Sequence, residues 1–445
     1  MDSESHRKVE FVPRHRRPPM AIARAEGNYL YTSEGQKILD AAGGAIVAGI
    51  GHGRQEVVEV AARALQEVSY VVPPFVTEHR LRLVERLTER WLPPGFTRCW
   101  FGTGGSDCVD AAVRLARQHH VAAGRASRTK VVARNYSYHG TTVFNLSLGG
   151  HPRWREGFGA MLQELPKVAE CFCARCPLGK TFPSCETACA DDLERVIARE
   201  GADTIAAFVA EPMSGTTLGA VAPPSAEYWQ KIRRICDRHG ILLVMDEVMT
   251  GFGRTGKRFC LEHWDVRPDI LVGGKGLAAG YAPLGGVFTT DAVIEPIAKQ
   301  EGELMFLTYG GHPAACAIAD KVLEIMEREE LVARAATMGR YLKARLEERL
   351  RDHPHVADVR GLGLLLAVEL VSDRVSRRPF AREALIVHRT VAAGFRRGVS
   401  IYPAGAGDDL NAVAFGPPFT ITEAECDLIA DVVPAAITDA VSRVA

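Results

Sequence analysis

The chain has 445 residues, enough for two domains around a large buried core, and its 47% apolar and 24% charged content is that of an ordinary folded protein. Basic and acidic side chains balance at 54 each, so no overall field draws the chain to nucleic acid or to an anionic membrane. No run approaches the roughly 18 apolar residues of a membrane span, the first twenty residues lack an apolar signal core, and the eleven cysteines are an odd number for a disulfide framework. A reducing cytoplasm is the expected setting.

In chain order, the basic triplet Arg14, Arg16 and Arg17 is broken by proline and reads as a solvated or interface arm. Gly104-Gly105-Ser106-Asp107 then opens a helical pattern over Asp107–His119, with Ser106 as the expected cap and Val109, Ala112, Val113 and Ala116 at helical spacing. A strand is expected at Lys130–Ala133, followed by Tyr138-His139-Gly140. Five cysteines crowd together at Cys171, Cys173, Cys176, Cys185 and Cys189. The last four have the spacing of a four-thiolate metal site, but no histidine or second CxxC strengthens it, and an inserted loop with buried thiols is the favoured reading.

Strands are next expected at Ile205–Ala210, Ile241–Met245, Ile270–Val272 and Gly285–Thr289, with helices at Ser225–His239 and Pro313–Glu327. Strands alternating with helices imply a mostly parallel sheet covered on both faces, in a large α/β domain over residues 71–330. Beyond 330 come a charged helix (Leu331–Asp352), an apolar strand (Leu362–Leu370) started by Gly361 and Gly363, a short strand near Val399–Tyr402, and a helix from Glu423. Residues 331–445 are expected to join residues 1–70 in a smaller α+β domain.

Two segments carry chemistry. Ile241–Met245 runs straight into Asp246 and Glu247, at the carboxyl end of a strand where open α/β sheets bind their ligands. A buried acid there needs a cationic partner, and a pyridinium nitrogen is one. The strand from Ile270 ends in Gly273-Gly274-Lys275-Gly276, where small residues admit a bulky ligand and a desolvated lysine can form a Schiff base.

Asp246-Glu-Val-Met-Thr-Gly-Phe-Gly-Arg-Thr-Gly256, followed by Gly274-Lys275-Gly276, resembles the signature of the class III, fold type I aminotransferases that use pyridoxal phosphate. The likeness extends to Gly104–Asp107, Tyr138-His139-Gly140, Glu211-Pro212 and Phe306–Pro313, in the family's order over nearly the whole chain. The resemblance implies a large sheet domain plus a small domain made from both termini. It also implies ping-pong transfer of an amino group from a primary amine or amino-acid donor to an aldehyde or keto acceptor.

By the same resemblance Lys275 would form the internal aldimine and shuttle the proton, and Asp246 would pair with the pyridine nitrogen. Val248 and Tyr138 would cover the two ring faces, His139 would belong to the cofactor site, and Glu211 would stand behind it. Gly105 and Ser106 would hold the phosphate at a helix N-terminus, an anion site the sequence also suggests unaided. Thr308 would reach the phosphate of a neighbouring subunit, making a homodimer the working unit.

The string Gly251–Lys257 imitates dinucleotide and P-loop motifs but lacks their strand and helix context, so a nucleotide-binding oxidoreductase is a remote alternative. A decarboxylating transaminase or aminomutase on the same fold is a nearer one. The sequence also departs from relatives that bind amino-acid carboxylates. The arginine they place three residues before the Pro417-Pro418 pair is Ala414 here, and the glutamate of ornithine-type members is Thr216. A donor whose amine is remote from any carboxylate is therefore expected.

Overall fold

The computed structural model describes residues 21–300, 305–405 and 410–444. The basic triplet at Arg14, Arg16 and Arg17 lies outside the described residues. Three short strands, β1 (Ile22–Glu26), β2 (Tyr29–Thr32) and β3 (Lys37–Leu39), form an antiparallel sheet at the start of the described chain. Leu39 then bridges Val399, through Leu39 N–H to the Gly398 carbonyl at 2.8 Å and Ser400 N–H to the Leu39 carbonyl at 2.9 Å. The early chain thus packs directly against the late chain.

The central sheet has seven strands: β4 (Phe96–Gly102), β5 (Lys130–Arg134), β6 (Lys167–Val168), β7 (Ile205–Ala210), β8 (Leu242–Asp246), β9 (Ile270–Gly273) and β10 (Gly285–Thr290). Their order is β4-β10-β9-β8-β7-β5-β6, with β10 antiparallel to both neighbours and the other adjacent pairs parallel. Every residue of β7 is buried, as expected where helices cover both faces of a parallel sheet. Alternate residues serve two cores. Ala207, Val209, Val244 and Val272 pack under the helix Gly105–Ala122, while Phe208, Leu243, Met245 and Leu271 face the other side. The fold is α/β. Among the described residues no helix is long and apolar enough to cross a membrane.

Four strands of the late chain form a second antiparallel sheet: β11 (Val356–Leu362), β12 (Leu365–Leu370), β13 (Tyr402–Ala404) and β14 (Asn411–Phe415), in the order β11-β12-β14-β13, before the final helix Glu423–Val441. The strand expected over Leu362–Leu370 begins only at Leu365, as β12, and Leu362 instead ends β11, the other arm of a hairpin. Gly363, at φ +52°, turns the chain, and a Cβ there would meet the Thr255 carbonyl carbon at 2.3 Å, so glycine marks a reversal rather than a strand start. The short strand expected from Val399 begins only at Tyr402, because Val399 is occupied by its bridge to Leu39.

Ser106 is not the cap of its helix. The helix starts one residue before Ser106, at Gly105, and Asp107 reaches back to accept the Thr103 N–H at 2.6 Å, leaving the serine hydroxyl to face the site. A close approach of this kind also decides the effect of one substitution. Ala for Gly339, inside the helix Leu331–Leu350, adds about 1 kcal/mol of helix propensity, yet its Cβ would lie 2.1 Å from the Gly363 carbonyl oxygen. Overpacking against fixed backbone costs about 1–3 kcal/mol or more, so Gly339→Ala lowers the melting temperature. A rise in a calorimetric scan contradicts this packing.

Candidate active site

Asp246 ends β8, and Lys275 follows β9, its parallel neighbour, by two residues; both side chains therefore stand at the same edge of the sheet. They line a cavity of about 270 Å³, close to the roughly 300–1,000 Å³ of small-molecule sites. Gly105, Ser106, Tyr138, His139, Glu211 and Val248 line it too, so the structure brings together eight of the nine residues singled out from the sequence. The ninth, Thr308, lies elsewhere. It is exposed, and its carbonyl accepts from the Tyr70 hydroxyl at 3.0 Å.

The Asp246 carboxylate is 5% exposed and both its oxygens are engaged: Oδ1 accepts the Val248 N–H at 3.0 Å and Oδ2 contacts His139 Nδ1 at 2.8 Å. The other ring nitrogen of His139 is buried without a hydrogen-bond partner. Glu211 is buried behind, receiving the Gly215 N–H at 3.1 Å and the Tyr138 N–H at 3.4 Å. Burial raises its carboxyl above the ordinary range, opposed by His139 and Arg134. Burial also lowers the Lys275 ammonium, while Asp246 and Glu211 pull it back up.

The opposite wall is made by the first turn of the helix Gly105–Ala122 and the segment tied to it. Thr141 N–H donates to the Ser106 hydroxyl at 3.2 Å, and the Asn145 amide to the Ser106 carbonyl at 2.8 Å. Val248 is wedged here, since a Cβ on Gly105 would sit 2.8 Å from its Cγ1 and one on Gly274 would sit 3.2 Å away. Tyr138 stands edge-on to Trp154 at 4.6 Å, and Trp154 stacks on His151 at 4.1 Å.

These residues fit pyridoxal phosphate. A helix N-terminus with a serine hydroxyl lining the cavity suits a phosphate, the space beside Val248 suits a ring, and a buried carboxylate suits a pyridinium. The sequence reading missed Val47, Thr103, Met249, Thr250 and the loop Ala282–Leu284, which also line the cavity. Only the proximity of Met249 and Thr250 to Asp246 could have flagged any of them. Thr216 lines the cavity as well, whereas Ala414 is buried within β14. Among the described lining residues there is no arginine.

The glycine string is not a nucleotide loop. It bends through turns between β8 and a short helix at Cys260–His263, and its buried Arg254 donates to the carbonyls of Leu364 (3.1 Å) and Pro417 (2.7 Å).

An α/β sheet with a lysine and a buried aspartate on neighbouring strand ends, beside a helix N-terminus, defines a pyridoxal-phosphate enzyme. Residues 11–437 match the class-III aminotransferase family (Aminotransferase class-III), and the chain belongs to that family. It is 35% identical to an uncharacterized aminotransferase of Schizosaccharomyces pombe, over 99% of this chain and 97% of that one. It is 33% identical to a putrescine–pyruvate aminotransferase of Pseudomonas aeruginosa, over 91% and 88%. The structure of an amine transaminase from an uncultivated Pseudomonas species, in its PLP-bound internal aldimine form, superposes with a TM-score of 0.89 at 36% identity, covering 98% of this chain and 97% of that one. The protein is a pyridoxal-phosphate-dependent aminotransferase.

Glu247 has a measurable consequence. It is fully buried beneath the site, accepts the Thr250 hydroxyl at 2.5 Å and the Leu261 N–H at 2.8 Å, and burial pushes its carboxyl from 4.5 up to about 7. A carboxyl that binds its proton more tightly folded than unfolded stabilises the fold at low pH, and this contribution is lost as pH rises from about 4.5 to about 7. It amounts to about 3 kcal/mol at most. Glu247→Gln, always neutral, therefore gains stability relative to wild type between about pH 5 and pH 8. Melting curves with a constant gap across that range contradict this.

Proposed function

We propose that Lys275 is the covalent anchor of the cofactor and the base that moves the proton at the substrate carbon bearing the amine. The observation that carries this is the pairing, in one cavity, of a desolvated lysine with a buried carboxylate on adjacent strands. Bound pyridoxal phosphate supplies an electrophilic carbon for the amine and a pyridinium electron sink. Asp246 would hold the ring nitrogen protonated, and His139 fixes the orientation of Asp246 through its 2.8 Å contact. Val248 and Tyr138, which both line the cavity, would cover the two faces of the ring. Gly105 and Ser106 hold the phosphate at the helix N-terminus, and Glu211 braces the Tyr138 backbone.

We also propose that the donor is an amine with no carboxylate to be clamped by this chain. Thr216 lines the cavity, and the nearby aromatic surface of Tyr138 and Trp154 suits an apolar substituent. The Pseudomonas aeruginosa relative is named for putrescine as donor, a carboxylate-free diamine, and the uncultivated Pseudomonas enzyme as an amine transaminase.

The working unit we infer is a homodimer in a reducing cytoplasm. Every described cysteine is a free thiol. Phe75 (66% exposed), Phe306 and Tyr309 (60% each) are exposed large apolar side chains, and the Tyr309 ring meets that of Tyr70 at 6.0 Å. A second copy would cover these side chains and would bring Thr308 to the partner's cofactor phosphate.

The central experiment is an absorbance titration of wild type and Lys275→Ala loaded with the cofactor. Wild type shows a band at the edge of the visible that simple alkyl or arylalkyl amines bleach more readily than ornithine or 4-aminobutyrate. The variant lacks the band and loses at least about 10²–10⁴ in turnover. A variant with the wild-type band and rate overturns the role of Lys275, and a strong preference for ornithine or 4-aminobutyrate overturns the substrate class. Sedimentation checks the assembly: wild type runs as a dimer, and Phe75→Asp shifts it toward monomer with weaker cofactor retention. A monomeric active wild type contradicts the shared site.

A further inference from the structure

The crowded cysteines do not supply a ligand set: among the described residues no three or more of His, Cys, Asp or Glu come together as metal ligands. A larger space lies on the sheet face covered by the helix Gly105–Ala122. Parallel strands need cover on both faces, and over β5 that cover is thin. The next helix, Val143–Leu148, has only six residues, and the chain that returns to β6 from Leu162 to Pro166 is neither helix nor strand. Residues of both helices, of this returning chain and of β5 line a cavity of about 430 Å³. It is larger than the catalytic cavity and within the roughly 300–1,000 Å³ of small-molecule sites.

The lining divides by character. Val113 and Val131 are buried members of the core beneath the helix Gly105–Ala122, and Phe144 and Leu165 pack against that core. Arg114 and Arg117 also line the cavity, three residues apart on the helix and so on one face of it. None of the ten lining residues is acidic. The acids next to them in sequence are engaged elsewhere: Asp110 accepts the Thr142 hydroxyl at 2.9 Å, and Glu164 meets Arg155 at 3.2 Å. Arg117 donates to the Arg128 carbonyl at 2.9 Å, whereas the exposed Arg114 has no hydrogen bond or ion pair among the described residues.

We propose that this cavity is a second ligand site, taking an amphipathic monocarboxylate whose tail lies against Val131, Phe144 and Leu165 and whose carboxylate pairs with Arg114 and Arg117. The planar fork of a guanidinium matches the two oxygens of a carboxylate. A phosphate is a poorer match, because this is the middle of the helix, where the backbone N–H groups are satisfied within it. The ligand is chemically unlike the carboxylate-free amine proposed as donor. Its place is separate too, since no residue lines both cavities.

The two helices that frame this site also build the catalytic wall. Gly105 and Ser106 begin one of them, and Asn145, next to Phe144 on the other, donates to the Ser106 carbonyl at 2.8 Å. A ligand held between them therefore stabilises the folded enzyme by mass action.

The test is isothermal titration of the holoenzyme with hexanoate, paired with melting curves. Hexanol serves as the probe without charge, and acetate and inorganic phosphate as probes without a tail. Hexanoate binds at about one site per chain and raises the melting temperature, and each of the other three binds at least about tenfold more weakly. Arg114→Gln weakens hexanoate at least about tenfold, and so does Thr129→Glu, which sets a like charge in the wall of the cavity. Neither position lines the catalytic cavity, so both variants turn over a simple alkyl amine at the wild-type rate. Any of three results overturns the proposal. The first is neither heat nor a melting shift with hexanoate. The second is hexanol or phosphate binding as tightly as hexanoate. The third is hexanoate binding that competes with the amine donor and survives both substitutions.

Discussion

A carboxylate buried at the end of a parallel strand is the constraint around which this protein is built. Taking Asp246 out of water is expensive unless its oxygens are occupied, and the chain occupies them with the Val248 N–H and the His139 ring. The parallel register of β8 and β9 then decides what stands beside it. Asp246 pairs in register with Val272, three residues before Lys275, so the acid and the amine reach one cavity from neighbouring strands. The antiparallel β10 ends the parallel run on that side, and the loop leading into it closes the cavity with Ala282, Pro283 and Leu284.

The rest of the chain holds this edge in place. Arg254, buried against Phe419 at 4.6 Å, ties the loop after Asp246 to the carbonyls of Leu364 and Pro417. Glu369, fully buried in β12, is shared by Arg175 and Arg360. Arg175 engages one carboxylate oxygen and Arg360 the other, so removal of either arginine would leave a buried oxygen without its donor. The C-terminal strands are therefore fastened to the cavity wall by charge and carbonyl contacts as well as by apolar packing.

How much of this the sequence showed follows from burial. Strands β7, β8 and β9 are covered on both faces, so they read as unbroken apolar runs ending at the chemistry, and their bounds were legible to within a residue or so. Strand β4 was missed because Thr97 and Arg98 are exposed and interrupt its pattern. Strand β11 went unread, and the strand expected from Leu362 overran the turn, because the reversal at Gly363 depends on packing against Thr255, which is remote in sequence. The cofactor-facing residues were legible through motif resemblance, and the cavity gathers eight of the nine. Thr308 is invisible to a single chain if its partner is another subunit. The loop wall at Ala282–Leu284 carries no chemical signature and follows only from the fold.

Reduction of the holoenzyme with borohydride, followed by peptide mapping, tests the central claim most directly. The account predicts that the cofactor's mass is fixed on the peptide containing Lys275 and on no other. Attachment at a different lysine, such as Lys167 or Lys231, or an enzyme that turns over without any reducible linkage, would contradict it.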